Sequence, residues 1–228
     1  MKSNKIQFLS KYRKNISLVD AKTLQENDIP VEWLEILNKG EPERREKTIE
    51  YWRSISSNEL RNTISYLSDN LLDVELICYN DVYSVLYTVK VGEGEVDYFE
   101  GRIPTQNILN KELQKFWSET PQSIKDFYEK LHNGFYYFPS RAMGLVPLEN
   151  VTFFGDDEWG IIEDLEAPLG IELDSTFGFF STGMGGYVAL DYSNDDKEKA
   201  TIWFTDDHPK YNMNFWDVVD EWIVMGFE

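Results

Sequence analysis

Two hydrophobic periods alternate along the chain. The first 70 residues carry apolar positions at helical spacing. Ile6, Phe8, Leu9 and Tyr12 cluster among lysines. Val31, Trp33, Leu34 and Leu37 follow Pro30, with Gly40 as a stop. Ile49, Tyr51 and Trp52 mark one side of a charged stretch, and Leu60, Ile64 and Leu67 continue the spacing. At Val74 the period shortens. Val74–Tyr79 and Val82–Val89 flank Asn80-Asp81, which predicts a hairpin with a two-residue turn. Gly92-Glu93-Gly94 then turns into a run from Val96 to Phe99. Around Gly101–Asn110, with Pro104 and several amides, the chain reads as a connector; the equal alternative is that the hairpin extends the sheet of the domain that follows.

Helical spacing returns after Leu113. Thr120-Pro121 predicts an N-cap and a first-turn proline. Ile124, Phe127, Tyr128 and Leu131 form one stripe, and Asn133-Gly134 stops it. Short strands are expected at Phe135–Phe138 and Val151–Phe154. Phe177–Ser181, Tyr187–Asp191 and Thr201–Thr205 predict an antiparallel meander, broken by Thr182–Gly186 and by a charged connection. The chain closes in a helix striped by Phe215, Val218, Val219 and Trp222. Asn214 is its candidate N-cap and Gly226 its stop, with Asp217, Asp220 and Glu221 expected to face outward.

Charge sharpens this division. The formal net charge is −19, from 22 basic and 41 acidic residues. Residues 1–110 hold 14 Lys/Arg against 18 Asp/Glu, whereas residues 111–228 hold 8 against 23. Nucleic-acid binding needs a basic face, and so does an anionic membrane surface; neither partner is expected. A basic protein partner suits the field instead. The densest acid lies in Gly155–Asp174, which has eight carboxylates and no basic residue. Asp156, Asp157, Glu158, Glu163, Asp164 and Glu166 are its candidate contacts, with Trp159 as an apolar anchor within the charged rim. Asp195-Asp196 and Asp206-Asp207, in turns of the meander, are further candidates. The competing reading of the segment is a solvated loop with an apolar underside.

Candidate chemistry is sparse. The only histidines are His132, at a helix end, and His208, in an Asp-Asp-His-Pro turn. No G-x-S-x-G elbow occurs, and Ser181 beside its glycines reads as a turn former. Gly183-Met184-Gly185-Gly186 precedes a strand and has no lysine nearby, so it is no phosphate loop; its glycines permit positive φ in a tight turn. The lone Cys78 excludes an internal disulfide and reads as a small buried thiol. No metal and no cofactor is expected. The opening residues lack the apolar core of a signal peptide, and no apolar run is long enough to span a membrane, so a reducing cytoplasm is the expected compartment.

The second half resembles the SUKH superfamily, which includes fungal cell-wall synthesis regulators and many bacterial immunity proteins. The likeness lies in the order of PQSIKDFYEKLHNG, Val146–Val151, Phe179–Asp191, the strand at Thr201–Thr205 and the closing helix, across about residues 108–228. The resemblance implies an α+β fold, a central, mostly antiparallel sheet flanked by helices. Residues 1–107 then form a separate helical and β-hairpin region before a domain at 108–228. It also implies a non-enzymatic protein that binds and neutralises a cognate toxin, often a nuclease. The family carries no fixed catalytic or interface residues to transfer. A regulatory scaffold using residues 1–107 as an adaptor is the alternative. A hydrolase with His208 as base is a third reading.

Overall fold

The computed structural model describes residues 2–25, 27–156 and 158–228. Among them, eleven strands form one sheet with every paired neighbour antiparallel. The elements run α1 (Lys2–Leu9), β1 (Ser17–Val19), α2 (Val31–Leu37), α3 (Glu41–Ser56), α4 (Arg61–Asn70), β2 (Leu71–Tyr79), β3 (Val82–Val91) and β4 (Glu95–Arg102). Then follow α5 (Lys111–Phe116), α6 (Gln122–Asp126), β5 (Phe135–Tyr137), β6 (Ala142–Leu145), β7 (Thr152–Phe153), β8 (Thr176–Ser181), β9 (Gly186–Asp191), β10 (Lys199–Phe204), β11 (Lys210–Asn214) and α7 (Phe215–Met225). The α+β class expected from the sequence, a mostly antiparallel sheet with flanking helices, is the class observed.

Strand order follows chain order except at β7. That strand shares one edge of β8 with β6, β6 facing Phe180 and Ser181 and β7 facing Phe177 and Gly178. The sheet does not stop where a connector was expected. β4 pairs with β5 through Phe99↔Tyr137 and Gly101↔Phe135, carrying the hairpin region into the strands that follow. One apolar core spans both halves, from Trp33 and Trp52 to Phe179 and Val219.

The hairpin forms as its turn chemistry dictates. Asn80 and Asp81 take φ of 51° and 62°, the paired positive values that match the twist of the flanking strands. Gly183 and Gly185 also have positive φ, 75° and 78°, between β8 and β9. β1, β6 and β11 were not visible as strands in the sequence. Each is short, and β11 (KYNMN) is a polar edge strand whose identity depends on pairing with β10.

Alternation gives the sheet two apolar faces. Val85, Tyr87, Val89, Val188, Leu190 and Ile202 point into the main core beneath the helices. On the opposite face, the α1 region covers Ile77, Leu86 and Phe138 with Leu9 and Ile16. Residues 154–173 cover Ala189 and Trp203 with Phe154, Trp159, Ile161 and Ile171.

Several local expectations change. Asp220 does not face outward: it is 3% exposed, and its carboxylate accepts the N–H groups of Asn62 and Thr63 at 2.9 and 2.8 Å. It thus caps α4 from another helix, because Leu60, at the N-cap of α4, has no acceptor to offer. Thr120 does not cap α6. Its hydroxyl pairs with the Tyr192 hydroxyl at 2.7 Å, and Pro121 occupies the cap position. Cys78 is only partly buried. Asn214 does cap α7, accepting from the Asp217 N–H at 3.0 Å. No helix among the described residues is long and apolar enough to cross a membrane.

Candidate docking surface

The acidic segment is held by its underside. β7 ends against Phe177, and three short 3-10 turns, Phe154–Asp156, Gly160–Asp164 and Leu173–Ser175, then lead the chain across the back of β9 and β10. Phe154, Trp159, Ile161 and Ile171 are buried against Trp203, and Ile162, Leu165, Leu169 and Leu173 pack around them. Two polar ties fix the return. The Gly170 N–H donates to the Tyr211 hydroxyl at 3.2 Å and the Glu172 N–H to Asp191 at 3.1 Å.

Trp159 is therefore no surface anchor. It is 9% exposed, its indole N–H donates to the Phe154 carbonyl at 2.9 Å, and its ring meets Trp203 edge-on at 5.2 Å. An indole belongs where its apolar body is covered and its N–H is bonded, and here the sheet supplies both. Asp157 lies outside the described residues.

The carboxylates take the outer side. Asp156, Glu158, Glu163, Asp164 and Glu166 are exposed, and among the described residues none pairs with a Lys or Arg within 4.0 Å. Period and burial explain this: when apolar residues take the sheet side of a two-sided loop, its acids are left to water.

The topology divides the remaining candidates. Asp206 and Asp207 lie in the β10–β11 turn, whose next residues, His208 and Pro209, line a shallow cleft of about 310 Å³ with Leu165, Glu166, Pro168 and Tyr211. This turn and the acidic segment thus meet. Met184, 89% exposed, caps the β8–β9 turn at the same end of the strands. Asp195 and Asp196 lie in the β9–β10 connection at the opposite end, roughly 20 Å away at about 3.3 Å per residue. The described candidates are therefore spread over both ends of the strands, with the acidic segment touching the β10–β11 turn at Glu166 and returning to Asp191 through Glu172. The cleft with its apolar Leu165, Pro168 and Tyr211 had no sequence signal, because its two sides lie some forty residues apart.

Among the described residues, neither histidine ring is hydrogen-bonded to a Ser, Thr or Cys side chain. His132 is fully buried, stacked on Trp33 at 4.8 Å. Trp52 Nε1–H donates to the Tyr87 hydroxyl, which reaches His132 Nε2, both at 2.8 Å. Nδ1 lies 3.1 Å from the Arg102 carbonyl. With Nδ1–H donating there, Nε2 accepts from Tyr87 and every proton is placed. Burial lowers the His132 pKa to about 3, opposed by the Arg102 carbonyl, so the ring is neutral at physiological pH. The network is a packing device: a Cβ on Gly101 would fall 2.4 Å from the imidazole. His208 is exposed in its turn.

No protein-family model, curated protein or solved structure matches the chain.

Proposed function

We propose that the protein is a non-enzymatic, SUKH-like immunity protein of the cytoplasm that neutralises a basic, nuclease-type toxin by direct binding. The observation that carries this reading is an outward acidic surface, backed by buried apolar residues, whose carboxylates have no Lys or Arg partner among the described residues. Carboxylates already paired within a fold have little field to offer a partner, whereas Glu163, Asp164, Glu166 and the neighbouring Asp206-Asp207 turn keep theirs. Such a field raises the encounter rate with a cation-rich surface, and the Leu165–Pro168–Tyr211 cleft offers apolar contact within the charged rim.

The SUKH likeness of residues 108–228 supports the same class. Residues 1–107 contribute β1–β4 and part of the shared core, so truncation at 107 removes four strands along with any adaptor and does not cleanly separate an immunity role from an adaptor role. The decisive experiment instead reverses charge on the intact chain. Reading frames beside the gene are searched for a toxin domain, which is mixed with the protein, and association is followed at rising salt. Glu163→Lys, Glu166→Lys, Asp206→Lys and Asp207→Lys combined should slow association at least about tenfold and abolish protection, with the fold intact. Tight binding indifferent to both salt and these changes would overturn the proposal.

A further inference from the structure

On the face of the sheet that carries the two covers, bordered by the α1 region, lies a cavity of about 400 Å³ that the acidic surface does not explain. Its chemistry opposes the rest of the molecule. In a chain with formal charge −19, three arginines, Arg13, Arg102 and Arg141, converge on it. Register accounts for the convergence. Ser84 pairs with Arg102 across β3 and β4, and Glu100 with Tyr136 across β4 and β5, so all four side chains share one face.

The charges do not cancel. Arg13, 4% exposed, pairs with the buried Glu100 and donates to the Phe138 carbonyl at 3.2 Å. Its Nε–H is buried without a partner. Arg102 pairs with Glu149 at 2.9 Å. Arg141 has no carboxylate partner among the described residues; its guanidinium lies 5.7 Å from the Tyr79 ring centroid. Three guanidinium groups thus face two carboxylates. Burial and the Glu100 charge push the Tyr136 phenol above its usual range, which keeps it a hydroxyl donor. A cavity of this size with a few convergent donors has the form of a small-molecule site, and unpaired guanidinium donors match oxyanions.

We propose that this cavity binds a small organic oxyanion, a carboxylate or phosphate monoester on a short apolar body, with Arg141 as countercharge and Tyr136 as neutral donor. The site is independent of the acidic docking surface, and one can fail without the other. Arg141 sits at φ of 57°, which an asparagine tolerates, so Arg141→Asn removes the charge while keeping the turn.

Phenyl phosphate, benzoate and inorganic phosphate are titrated into the full chain by calorimetry at constant ionic strength. Phenyl phosphate or benzoate should bind saturably at one site and raise Tm, with whichever saturates more tightly identifying the head group. Inorganic phosphate, lacking the apolar body, should bind more weakly. Arg141→Asn should weaken binding about tenfold, the equivalent of one charge-assisted hydrogen bond. Tyr136→Phe should weaken it by a smaller factor, and the Glu163→Lys/Glu166→Lys surface variant should leave it unchanged. No saturation by any probe up to about 10 mM, well beyond the millimolar affinities of the weakest specific ligands, would overturn the proposal. So would binding that Arg141→Asn leaves intact.

Discussion

Two segments cover the same face of one sheet, and they use charge in opposite ways. The α1 region ties itself down with ions. Lys5 pairs with Glu75, and Arg13 with Glu100 in a pair that is 3% exposed on each side. The 154–173 segment is tied by apolar rings and two backbone N–H groups, with its carboxylates in water. A charge in the first cover is part of the structure, whereas a charge in the second is free to meet another molecule. Charge density alone therefore does not locate an interface. Whether each carboxylate already has a partner separates charge used within the fold from charge left exposed.

The largest effects should come from exchanging the two kinds of attachment. Glu100→Gln strands the Arg13 guanidinium in the interior and should cost about 3–5 kcal/mol in urea unfolding. Arg13→Met combined with Glu100→Leu should recover most of that loss, since the desolvated pair is removed together. Trp159→Ala should cost a similar ~3–5 kcal/mol through the cavity beneath the acidic segment. A near-neutral Trp159→Ala would mean that the second cover is not held by its rings.

Next in size is the pH response of the core that both covers leave untouched. His132 has its pKa lowered to about 3 in the folded state against about 6.5 unfolded, so the unfolded chain binds the extra proton between those values. Its contribution is complete above about pH 6.5 and is lost as pH falls toward 3, at up to ~1.4 kcal/mol per pH unit. Unfolding of wild type and His132→Gln between pH 7 and 4.5 should differ in slope by close to one proton. Equal slopes would assign the acid sensitivity to carboxylates. The smallest effect belongs to the acidic surface: Glu163→Gln and Glu166→Gln should each change stability by no more than about 0.5 kcal/mol, since exposed groups with no ion pair hold nothing together.

Much of the fold was legible in the chain. The Asn80-Asp81 hairpin, the Gly183–Gly186 turn, the Ile124–Leu131 stripe and the Asn214 cap all follow from neighbours a few residues apart, where spacing and turn chemistry act directly. The acidic segment was legible too, including its apolar underside. Trp159 was misplaced because period alone does not say which side of a loop meets the sheet, and Asp220 because its partner belongs to a helix some 158 residues earlier. The arginine cavity left no trace, since its walls come from separate strands and the loops between them.

By itself, then, the sequence determined the main helical stripes and the longer strands, where the hairpins turn, and that its second half is strongly acidic. These properties depend on local backbone preference, side-chain period and composition. Only the tertiary structure decided that both halves build one sheet and that the Asp206-Asp207 turn meets the acidic segment at Glu166. It also decided which charges are spent within the fold. Strand register and burial set those outcomes, and both depend on partners distant along the chain.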